Sequence, residues 1–581
     1  MDGTFDSIPV VIRPRVKGIF YNMATKSFEY YFSDRELLKV LCRKRVIFAK
    51  KEHDKIFHKK LLLKKGKTTI DNFYEMFPSR NSWLRLTKKE RKGKSALEIN
   101  AIQLERTILR KTRKLRSVPK EAWHQKLQDF LTDLKTNVIK GNYTVPKPLI
   151  IRQPKEKKDG ISIYRPIAHF EYKDRIIISQ CNKYLTDCFD PLFEDCSYAF
   201  RSIKKNGKSF THHLAVEDII DYKKKYGNID LYVSECDIKK FYDCVNHETA
   251  RHIFKSRIYE CESKDIKIDS RAQNIFYSYL DSYSFNFDVQ GLKMPPKSKF
   301  GWVSKEELLK VGSDPAIDKI GVPQGGAISC LIANLLMHEV DKKVVNATIK
   351  NEQFYARFCD DMVLINPSRK ECQKVLRIYS DALKEIKLLS HPFTEITEYS
   401  KDFWKSKSKA PYLWGKNDRT QDTFANVPWL SFVGYQLKYD LKIRVRRSSL
   451  RKEIEKQIRE TGMVNTLIRK NHNFRISEKA IKFRLMQRLL SMSVGRQTVF
   501  YPNKEGQMCW TAGFKLLKEY DHIKFQPKYL DKKRAMNLAR LDKSLRKMDR
   551  ANRPDKNRKT AQLDKEPKYY GSPFSYYFQF K

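Results

Sequence analysis

Apolar residues recur at the three- and four-residue spacing of a helix in three stretches of the chain. Residues 96–117 predict a basic helix, and residues 119–139 predict a second helix that begins near Pro119 and ends at Gly141. Residues 327–341 predict a third helix with a mostly apolar sequence. A substantial part of the fold is therefore expected to be helical.

Between these helices, short runs alternate apolar and polar residues and predict β-strands. The runs Leu149–Arg152 and Ile161–Arg165 flank the turn Lys158-Asp159-Gly160, a pattern typical of a hairpin, and this hairpin carries several cations. Residues 228–237 predict a strand that ends at Asp237. The chain thus places a carboxylate at the end of one strand.

Two further regions extend this pattern. Residues 353–366 predict two strands that meet at Asp360-Asp361. The segment Trp429–Leu437 predicts a last core strand, which contains Gly434. Because strands and helices are mixed without a regular repeat, the expected fold class is α+β.

Beyond Arg444 the chain is predicted to be mainly helical and basic. Residues 550–568 have the composition of a polar linker, and the residues after them form an aromatic tail. One stretch before the linker presents a single apolar stripe, because its apolar residues lie three, four and three positions apart. The stripe consists of Leu538, Leu541, Leu545 and Met548.

The distribution of charge indicates a polyanionic partner. The 581 residues include 117 Lys or Arg and 68 Asp or Glu, a formal charge of +49. Residues 1–160 contribute +22, residues 161–440 only +4, and residues 441–581 +23. Two basic flanks around a nearly neutral middle suit a polyanion held around a central site. Aromatic residues lie among the basic segments, which favours nucleic acid over a membrane surface.

Composition excludes several other classes. With 41% hydrophobic residues the chain can bury a core, which excludes a wholly disordered protein, and its length excludes a small disulfide scaffold. The 11 cysteines contain no C-x-x-C pair, so neither a zinc ribbon nor a redox dithiol is indicated. The chain contains no run of 18 apolar residues, so no membrane span is predicted. Asp2 and Asp6 lie where a secretory signal would carry basic residues. We therefore expect a cytoplasmic protein without a membrane partner.

The strand-terminal Asp237 and the adjacent pair Asp360 and Asp361 suit two-metal catalysis. Carboxylate oxygens are hard ligands that Mg²⁺ prefers, and Mg²⁺ keeps coordination positions open for substrate phosphates. Two such ions can stabilise the attacking and leaving oxygens of a phosphoryl transfer. Each aspartate alone would more often be a turn residue or a helix cap.

The order of these segments resembles the reverse transcriptases. Residues 237–247, 321–329, 358–361 and 432–435 are similar, in that order, to motifs A, B, C and E of the family. Upstream segments resemble the fingers of the bacterial, group II intron-like branch, and the whole resemblance covers about residues 135–455. These upstream segments are Gly141–Tyr143, Lys158–Arg165, Arg165–Ile167, Asp174–Arg175 and Ser197–Arg201.

This resemblance implies a right-hand polymerase with fingers, palm and thumb, and with basic helical extensions at both ends. It implies that Asp237, Asp360 and Asp361 are catalytic. The same three side chains would bind Mg²⁺, with Mn²⁺ as an alternative ion, and the Ile238 carbonyl would be a further ligand.

The resemblance also implies residues that bind the incoming nucleotide. Lys158 and Arg165 match the cations of the fingers that hold the triphosphate. Tyr242 matches the ring that excludes a ribose 2′-hydroxyl. Gln324 lines the nucleotide pocket, and Gly325 allows close approach of the backbone. The primer grip would consist of Phe432, Gly434 and Tyr435.

The sequence departs from the family pattern at three points. Cys359 stands where alanine is usual before the two aspartates, and Cys330 replaces the usual proline after Ser329. Cysteine is small, so the pocket is expected to tolerate both changes. The lysine usual in motif D, a candidate proton donor, has no clear counterpart among residues 390–395.

The subtype is inferred from the region after motif E. Residues Lys442–Lys452 would open a basic helical thumb, and the run Arg444–Ser449 within them, with the helical C-terminal extension, resembles bacterial defence-associated reverse transcriptases of the abortive-infection type. Only Cys509 lies beyond residue 372, so this region contains no zinc-type endonuclease pattern. The alternatives are a group II intron maturase-like or retron enzyme and, from another class, a catalytically idle RNA-binding scaffold.

The expected partners are an RNA template, for which a dedicated noncoding RNA is one candidate, a DNA product and deoxynucleoside triphosphates. The sequence does not determine whether the protein forms a homo-oligomer. It also does not determine the primer, for which the candidates are an RNA end, a DNA end and a protein hydroxyl. The expected domains are a basic N-terminal extension (1–118), fingers (119–228), palm with inserted segments (229–440), helical thumb (441–500) and a basic helical C-terminal extension with the aromatic tail (501–581).

Overall fold

The computed structural model describes most of the chain between residues 26 and 552. The aromatic tail and most of the expected C-terminal extension lie outside the described residues. No helix within the described ranges is long and apolar enough to cross a membrane. The described ranges are 26–61, 72–114, 121–348, 352–394, 401–416, 426–470 and 525–552, together with residues 481, 482, 485 and 489.

The N-terminal part is helical and packs on the rest of the molecule. Both helices predicted between residues 96 and 139 form, and the second ends where Gly141 adopts a left-handed φ of +76°. Tyr31 donates a hydrogen bond to Asp187 Oδ2 at 2.6 Å. The helices are α1 (Phe28–Tyr31), α2 (Asp34–Leu61), α3 (Asn72–Glu75), α4 (Lys88–Arg91), α5 (Ala96–Lys114) and α6 (Ala122–Ile139).

The predicted cationic hairpin is present and longer than expected. Strand β1 spans Leu149–Lys158 and pairs antiparallel with β2, Ile161–His169. Asp159 and Gly160 have φ values of +49° and +77°, as in the two-residue turns that favour Asp-Gly. The pairing shifts between Pro154 and Glu156, so Lys155 forms a bulge.

Helices and a small hairpin connect these strands to the central sheet. The N-terminal helices, α7 and the helices behind the central sheet share one hydrophobic core, so the expected boundary at residue 118 does not separate two cores. The connecting elements are α7 (Tyr172–Phe189), β3 (Lys204–Lys205), β4 (Lys208–Ser209) and α8 (His212–Tyr226).

A five-stranded sheet forms the expected palm. Its strand order is β7-β8-β5-β10-β9, and the predicted strand β5 ends at Asp237. Strand β6 instead joins the fingers hairpin, parallel to β2. The elements are β5 (Leu231–Asp237), α9 (Phe241–Cys244), α10 (His247–Glu262), α11 (Ser270–Asp281), β6 (Ser298–Phe300), α12 (Lys305–Leu309), α13 (Ala327–Thr348), β7 (Phe354–Phe358), β8 (Asp361–Asn366), α14 (Arg369–Glu385), β9 (Phe393–Thr394), α15 (Lys401–Lys405) and β10 (Ser408–Trp414).

The central sheet is buried on both faces. Met362 and Leu364 of β8 face the core that contains α13 and α14, whereas Val363 and Ile365 face a second core that contains α8. This alternation follows from the two-residue period of a strand. The end of the sheet that carries Asp237 is therefore held by packing from both sides.

The prediction of a single strand over Trp429–Leu437 is wrong. The segment forms two strands, β11 (Trp429–Phe432) and β12 (Tyr435–Lys438), and β13 (Ile443–Val445) completes a small sheet. Val433 and Gly434 have φ values of +42° and +89°, so the chain reverses there. A valine rarely adopts a positive φ, which is why the turn was not predicted.

Two long helices represent the described part of the C-terminal region. Helix α16 spans Arg447–Lys470 and packs against α17, Phe525–Asn552; α16 also contacts α2. Leu541 and Leu545 of the predicted stripe are buried between them, and Leu538 packs beside them. The Met548 side chain lies outside the described residues.

Candidate active site

Three aspartates meet at the end of two neighbouring palm strands. Asp237, the last residue of β5, lies directly opposite Asp361, the first residue of β8. Side chains of such cross-strand pairs lie on the same face, about 5 Å apart at Cβ. Phe358 also pairs with Asp361, so the turn consists of Cys359 and Asp360 and not of Asp360 and Asp361 as predicted. Asp360 therefore projects from the turn itself.

The three carboxylates influence one another's ionisation. Burial and then the charge of Asp237 raise the pKa of Asp360. The Asp361 side chain is exposed to the cleft, yet desolvation, followed by repulsion from Asp360 and Asp237, raises its pKa as well. Solvent around the open part of Asp361 screens this repulsion without removing it. Carboxylates that repel each other in this way favour a bound cation.

Two basic side chains lie close to Asp237, and one of them, His391, comes from the region expected to hold motif D. Lys407 Nζ lies 3.1 Å from Asp237 Oδ2, and His391 Nε2 lies 3.9 Å from the same oxygen. Burial and the nearby Lys407 lower the pKa of His391 to about 4. The sequence assigned no residue to this position, because Lys407 lies 16 residues beyond His391 and only the fold brings both to Asp237.

The backbone around Asp237 is also fixed. Ser408 Oγ accepts a hydrogen bond from Asp237 N at 3.1 Å, and the Asp237 carbonyl accepts one from His391 N at 2.9 Å. The Ile238 side chain is buried, and Ile238 forms an isolated bridge with Ser390. The Ile238 carbonyl as a metal ligand stays a prediction.

These donors fit a hard divalent cation. Mg²⁺ is usually held by one or two carboxylates and completes its octahedral shell with water and substrate phosphate oxygens. Within the described ranges, no group of three or more His, Cys, Asp or Glu side chains already lies close enough together to hold a metal ion. The carboxylates and the ammonium of Lys407 beside them are consistent with an open site that attracts positive charge.

Tyr242 lies next to the three aspartates. It belongs to the short helix α9, and its hydroxyl lies 3.3 Å from Cys359 Sγ of the catalytic turn. Burial, followed by the neighbouring Cys359 and Cys330, raises the pKa of Tyr242, so the phenol stays neutral. Both cysteines that depart from the family pattern therefore surround this one ring.

Gln324 connects the palm to the fingers. Its Nε2 donates to Asp243 Oδ1 at 2.5 Å, and its carbonyl accepts a hydrogen bond from Ala168 N of β2 at 2.9 Å. Gly325 has a φ of +96°, which favours glycine. Gly326 is required for another reason, because the Tyr279 hydroxyl occupies the place where a Cβ would lie.

Comparison with protein families shows what this part of the chain is similar to. Residues 154–392 match the family model described as reverse transcriptase (RNA-dependent DNA polymerase). This central part of the chain is therefore similar to a reverse transcriptase domain. The matched range includes the three aspartates, Tyr242 and Gln324, and together with the mixed sheet and helices it confirms the predicted α+β right-hand polymerase fold.

The relatives agree with the predicted branch. The group II intron-encoded protein LtrA of Lactococcus lactis subsp. cremoris is 25% identical over 262 residues, which cover 45% of this chain and 34% of that protein. The same protein from strain MG1363 gives the same values. The chain thus spans about a third of the curated relatives that it matches. This similarity supports a group II intron-like reverse transcriptase domain.

Solved structures give weaker similarity. Telomerase from Candida tropicalis in complex with a TWJ fragment of telomeric RNA has a TM-score of 0.34 at 11% identity, covering 83% of this chain and 75% of that chain. Telomerase from Candida albicans in complex with a TWJ fragment has a TM-score of 0.31 at 11% identity, covering 80% and 76%. Scores this low carry no argument about function.

The hairpin β1–β2 brings further cations near the site. Arg165 lies opposite Gln153 on this hairpin. Burial raises the pKa of Asp243 to about 6, and the charges of Lys240, Lys155 and Arg165 oppose that rise. Lys158 lies exposed at the end of β1, and its role in binding triphosphate stays a prediction. Lys155 was missed. The signal in the sequence is the preceding Pro154, since proline within a strand often marks a bulge.

The predicted primer grip is a hairpin whose side chains point inward. Phe432 and Tyr435 are both buried in the second core, and the Tyr435 ring stacks on His212 at 6.0 Å between centroids. Gly434 has open space around its Cα. A primer would therefore contact the backbone of the Val433-Gly434 turn, and the grip itself stays a prediction.

Proposed function

We propose that this protein is an RNA-directed DNA polymerase that extends a DNA product on an RNA template from deoxynucleoside triphosphates. One observation carries the proposal: Asp237 and Asp361 lie opposite each other on β5 and β8, with Asp360 in the adjoining turn, inside a reverse transcriptase domain. This arrangement meets the requirement of phosphoryl transfer for clustered carboxylates at one sheet edge.

We assign Mg²⁺ as the ion, with Mn²⁺ as a substitute, held by Asp237, Asp360 and Asp361. When bound, the ion would stabilise negative charge on the reacting phosphate oxygens. Lys407 neutralises part of the Asp237 charge from 3.1 Å. Lys155 and Arg165 of the hairpin, whose charges lower the pKa of the buried Asp243 against the larger effect of burial, would provide positive charge for a triphosphate.

Selection of deoxynucleotides is assigned to Tyr242. Its ring lies beside the catalytic turn, with the hydroxyl 3.3 Å from Cys359 Sγ, and it is partly buried. A bulky ring at this position leaves no room for a 2′-hydroxyl. The template and product are assigned to the basic flanks, which contribute +22 and +23 of the total charge.

The test is primer extension on an RNA template by the full-length protein with Mg²⁺. We expect Asp360→Asn to abolish incorporation, because removing one carboxylate charge weakens metal binding, while affinity for RNA stays unchanged. Asp381→Asn is the matched control, since Asp381 is an exposed residue of α14 that pairs only locally with Lys384. Wild-type activity in Asp360→Asn would refute the assignment.

For the biological role we propose antiphage defence in the bacterial cytoplasm, because the run Arg444–Ser449 resembles that of defence-associated enzymes. The similarity to LtrA, whose name identifies it as a group II intron-encoded protein, supports a second candidate, a role with an intron RNA. Phage plating on cells that express wild-type or Asp360→Asn protein separates the two. Protection that depends on Asp360 supports defence, and splicing of a co-expressed neighbouring intron without protection supports the alternative.

A further inference from the structure

A fully buried arginine lies directly behind the catalytic turn. Arg357 is 1% exposed and its partner Asp341 is 0% exposed. Arg357 Nη2 donates to Asp341 Oδ2 at 2.6 Å and Nε donates to Oδ1 at 2.9 Å, a two-pronged pair. Tyr355 donates to the same carboxylate at 2.6 Å. A buried pair with such partners has a defined geometry, although burying it is costly.

The same guanidinium also binds the backbone of the turn. Arg357 Nη1 donates to the carbonyl oxygen of Cys359 at 3.1 Å. Cys359 has a φ of +60°, a left-handed conformation that is unfavourable for a residue with a Cβ. The Cys359 carbonyl and the Asp360 amide belong to one planar peptide unit. Fixing this oxygen therefore fixes the direction in which Asp360 leaves the turn.

A second buried arginine organises the loop on the other side of Arg357. Arg201 pairs with Asp190, and both side chains are 0% exposed. Arg201 Nη1 also donates to the carbonyls of Glu194 and Ser197, at 2.8 and 3.0 Å. The Arg201 side chain thereby holds together the two ends of this loop, residues 190–203, because its planar guanidinium can donate to several backbone carbonyls at once.

The loop is joined to Arg357 by three hydrogen bonds. Ser197 Oγ accepts from Arg357 Nη2 at 2.8 Å. Arg357 N donates to the Cys196 carbonyl at 2.8 Å, and Tyr198 N donates to the Arg357 carbonyl at 2.9 Å. A continuous set of contacts thus leads from Arg201 through Ser197 and Arg357 to Cys359.

We propose that Arg357 is a positioning residue of the proposed polymerase reaction, which holds the Cys359-Asp360 turn in its metal-binding geometry, and that the loop 190–203 acts on the catalytic site through it. The inference rests on the proposed function for its catalytic consequence. It assigns a role to the segment Ser197–Arg201, which lies behind the sheet edge and carries none of the three aspartates.

The test uses Arg357→Lys and Ser197→Ala in the full-length protein. Lysine keeps the charge beside Asp341 but cannot contact Asp341, Ser197 and Cys359 with one planar group. Arg257→Lys is the matched control, because Arg257 is also nearly buried, at 7% exposure, and pairs with Glu339 at 3.1 Å. Each variant is measured by thermal unfolding, by Mn²⁺ binding from the electron paramagnetic resonance signal of free Mn²⁺, and by primer extension at varied Mg²⁺.

We expect Arg357→Lys to weaken Mn²⁺ binding, to raise the half-saturating Mg²⁺ concentration, and to lower kcat by roughly 100-fold, the effect of misplacing a reacting group by about 1 Å. The KM for template and primer should not change. Ser197→Ala should lower kcat by about 3- to 10-fold, as expected for one lost hydrogen bond. In the Arg357→Lys background it should add little, because Ser197 acts through Arg357.

Several results would overturn the inference. One is a loss of thermal stability in Arg357→Lys with unchanged Mn²⁺ binding and unchanged Mg²⁺ dependence. Another is an effect of Ser197→Ala that adds in full to that of Arg357→Lys, or an Arg257→Lys control that shifts metal binding equally. If the wild-type protein binds Mn²⁺ but does not polymerise, the proposed function fails while the Mn²⁺ comparison still decides the inference. Wild-type protein that binds no Mn²⁺ refutes both.

Discussion

Replacing Asp243 with asparagine should stabilise the protein in a pH-dependent manner. Asp243 is 2% exposed and accepts a hydrogen bond from Gln324. Burial raises its pKa to about 6, although the Gln324 hydrogen bond and the charges of Lys240, Lys155 and Arg165 lower it. Asparagine has nearly the same shape and its Oδ1 still accepts from Gln324, so the substitution removes the titration and keeps the contact.

The magnitude follows from the pKa difference between the folded and unfolded chain. A rise from 3.8 to about 6 corresponds to about 3 kcal/mol, at roughly 1.36 kcal/mol for each unit of pKa. A raised pKa means that the folded state favours the protonated carboxyl. The resulting stabilisation is complete below about pH 4 and is lost as the pH rises through about 6. Above that range, the wild-type protein carries a buried charge that Asp243→Asn lacks.

The assay is thermal unfolding of both proteins between pH 4 and pH 7.5. The melting temperature of Asp243→Asn relative to wild type should rise by about 6 °C across this range, at roughly 2 °C per kcal/mol for a large chain. Asp129→Asn, at an exposed position on α6, is the control and should show no such trend. A difference in melting temperature that stays constant with pH would refute the raised pKa of the buried Asp243.

Three other predictions concern the nucleotide and the nucleic acid. Tyr242→Ala should raise the kcat/KM ratio of ribonucleotides to deoxynucleotides by on the order of 10- to 100-fold, because it opens space for a 2′-hydroxyl; an unchanged ratio would place the gate elsewhere. Cys359→Ala removes the thiol 3.3 Å from the Tyr242 hydroxyl and should raise the same ratio about fivefold, as for one weak contact; no change would show that the thiol does not restrain the ring. RNA affinity should fall steeply with salt, with a log–log slope steeper than about −3 if several phosphates are neutralised, and a flat slope would contradict binding by the basic flanks.

The sequence predicted the elements whose ends are set by residues close to them along the chain. The Asp159-Gly160 turn defines the fingers hairpin, and alternation of apolar residues defines β5 up to Asp237. Strand β6 had no such signal, because its three residues gain their strand conformation only by pairing with β2, more than 130 residues earlier in the chain. The Val433 turn was missed because a β-branched residue at positive φ contradicts local preference.

The site residues could be predicted only where the order of the motifs along the chain shows which residues lie close together in the fold. Asp237, Asp360 and Asp361 were predicted as a site because motif order places two strand ends side by side, and the register does place Asp237 opposite Asp361. Lys155 and Lys407 were missed, since the first is brought inward by a bulge and the second by a strand that follows a long connection. Neither a bulge nor sheet order is encoded by spacing alone.

Buried charged side chains lie next to the strands that carry the candidate aspartates. Their placement indicates that they fix the geometry of these strands more than they stabilise the fold. Glu235, two residues before Asp237, accepts hydrogen bonds from Lys409 at 2.6 Å, from Tyr412 at 2.7 Å and from Ser431 N at 3.2 Å. It thereby ties β5 to β10 and to β11 of the adjoining small sheet. Well-packed apolar residues would often stabilise such positions equally or better. A charged network can hold three strands in one register, because any slip leaves a buried carboxylate unpaired. The group that gains from this precision is Asp237, the candidate metal ligand at the end of β5.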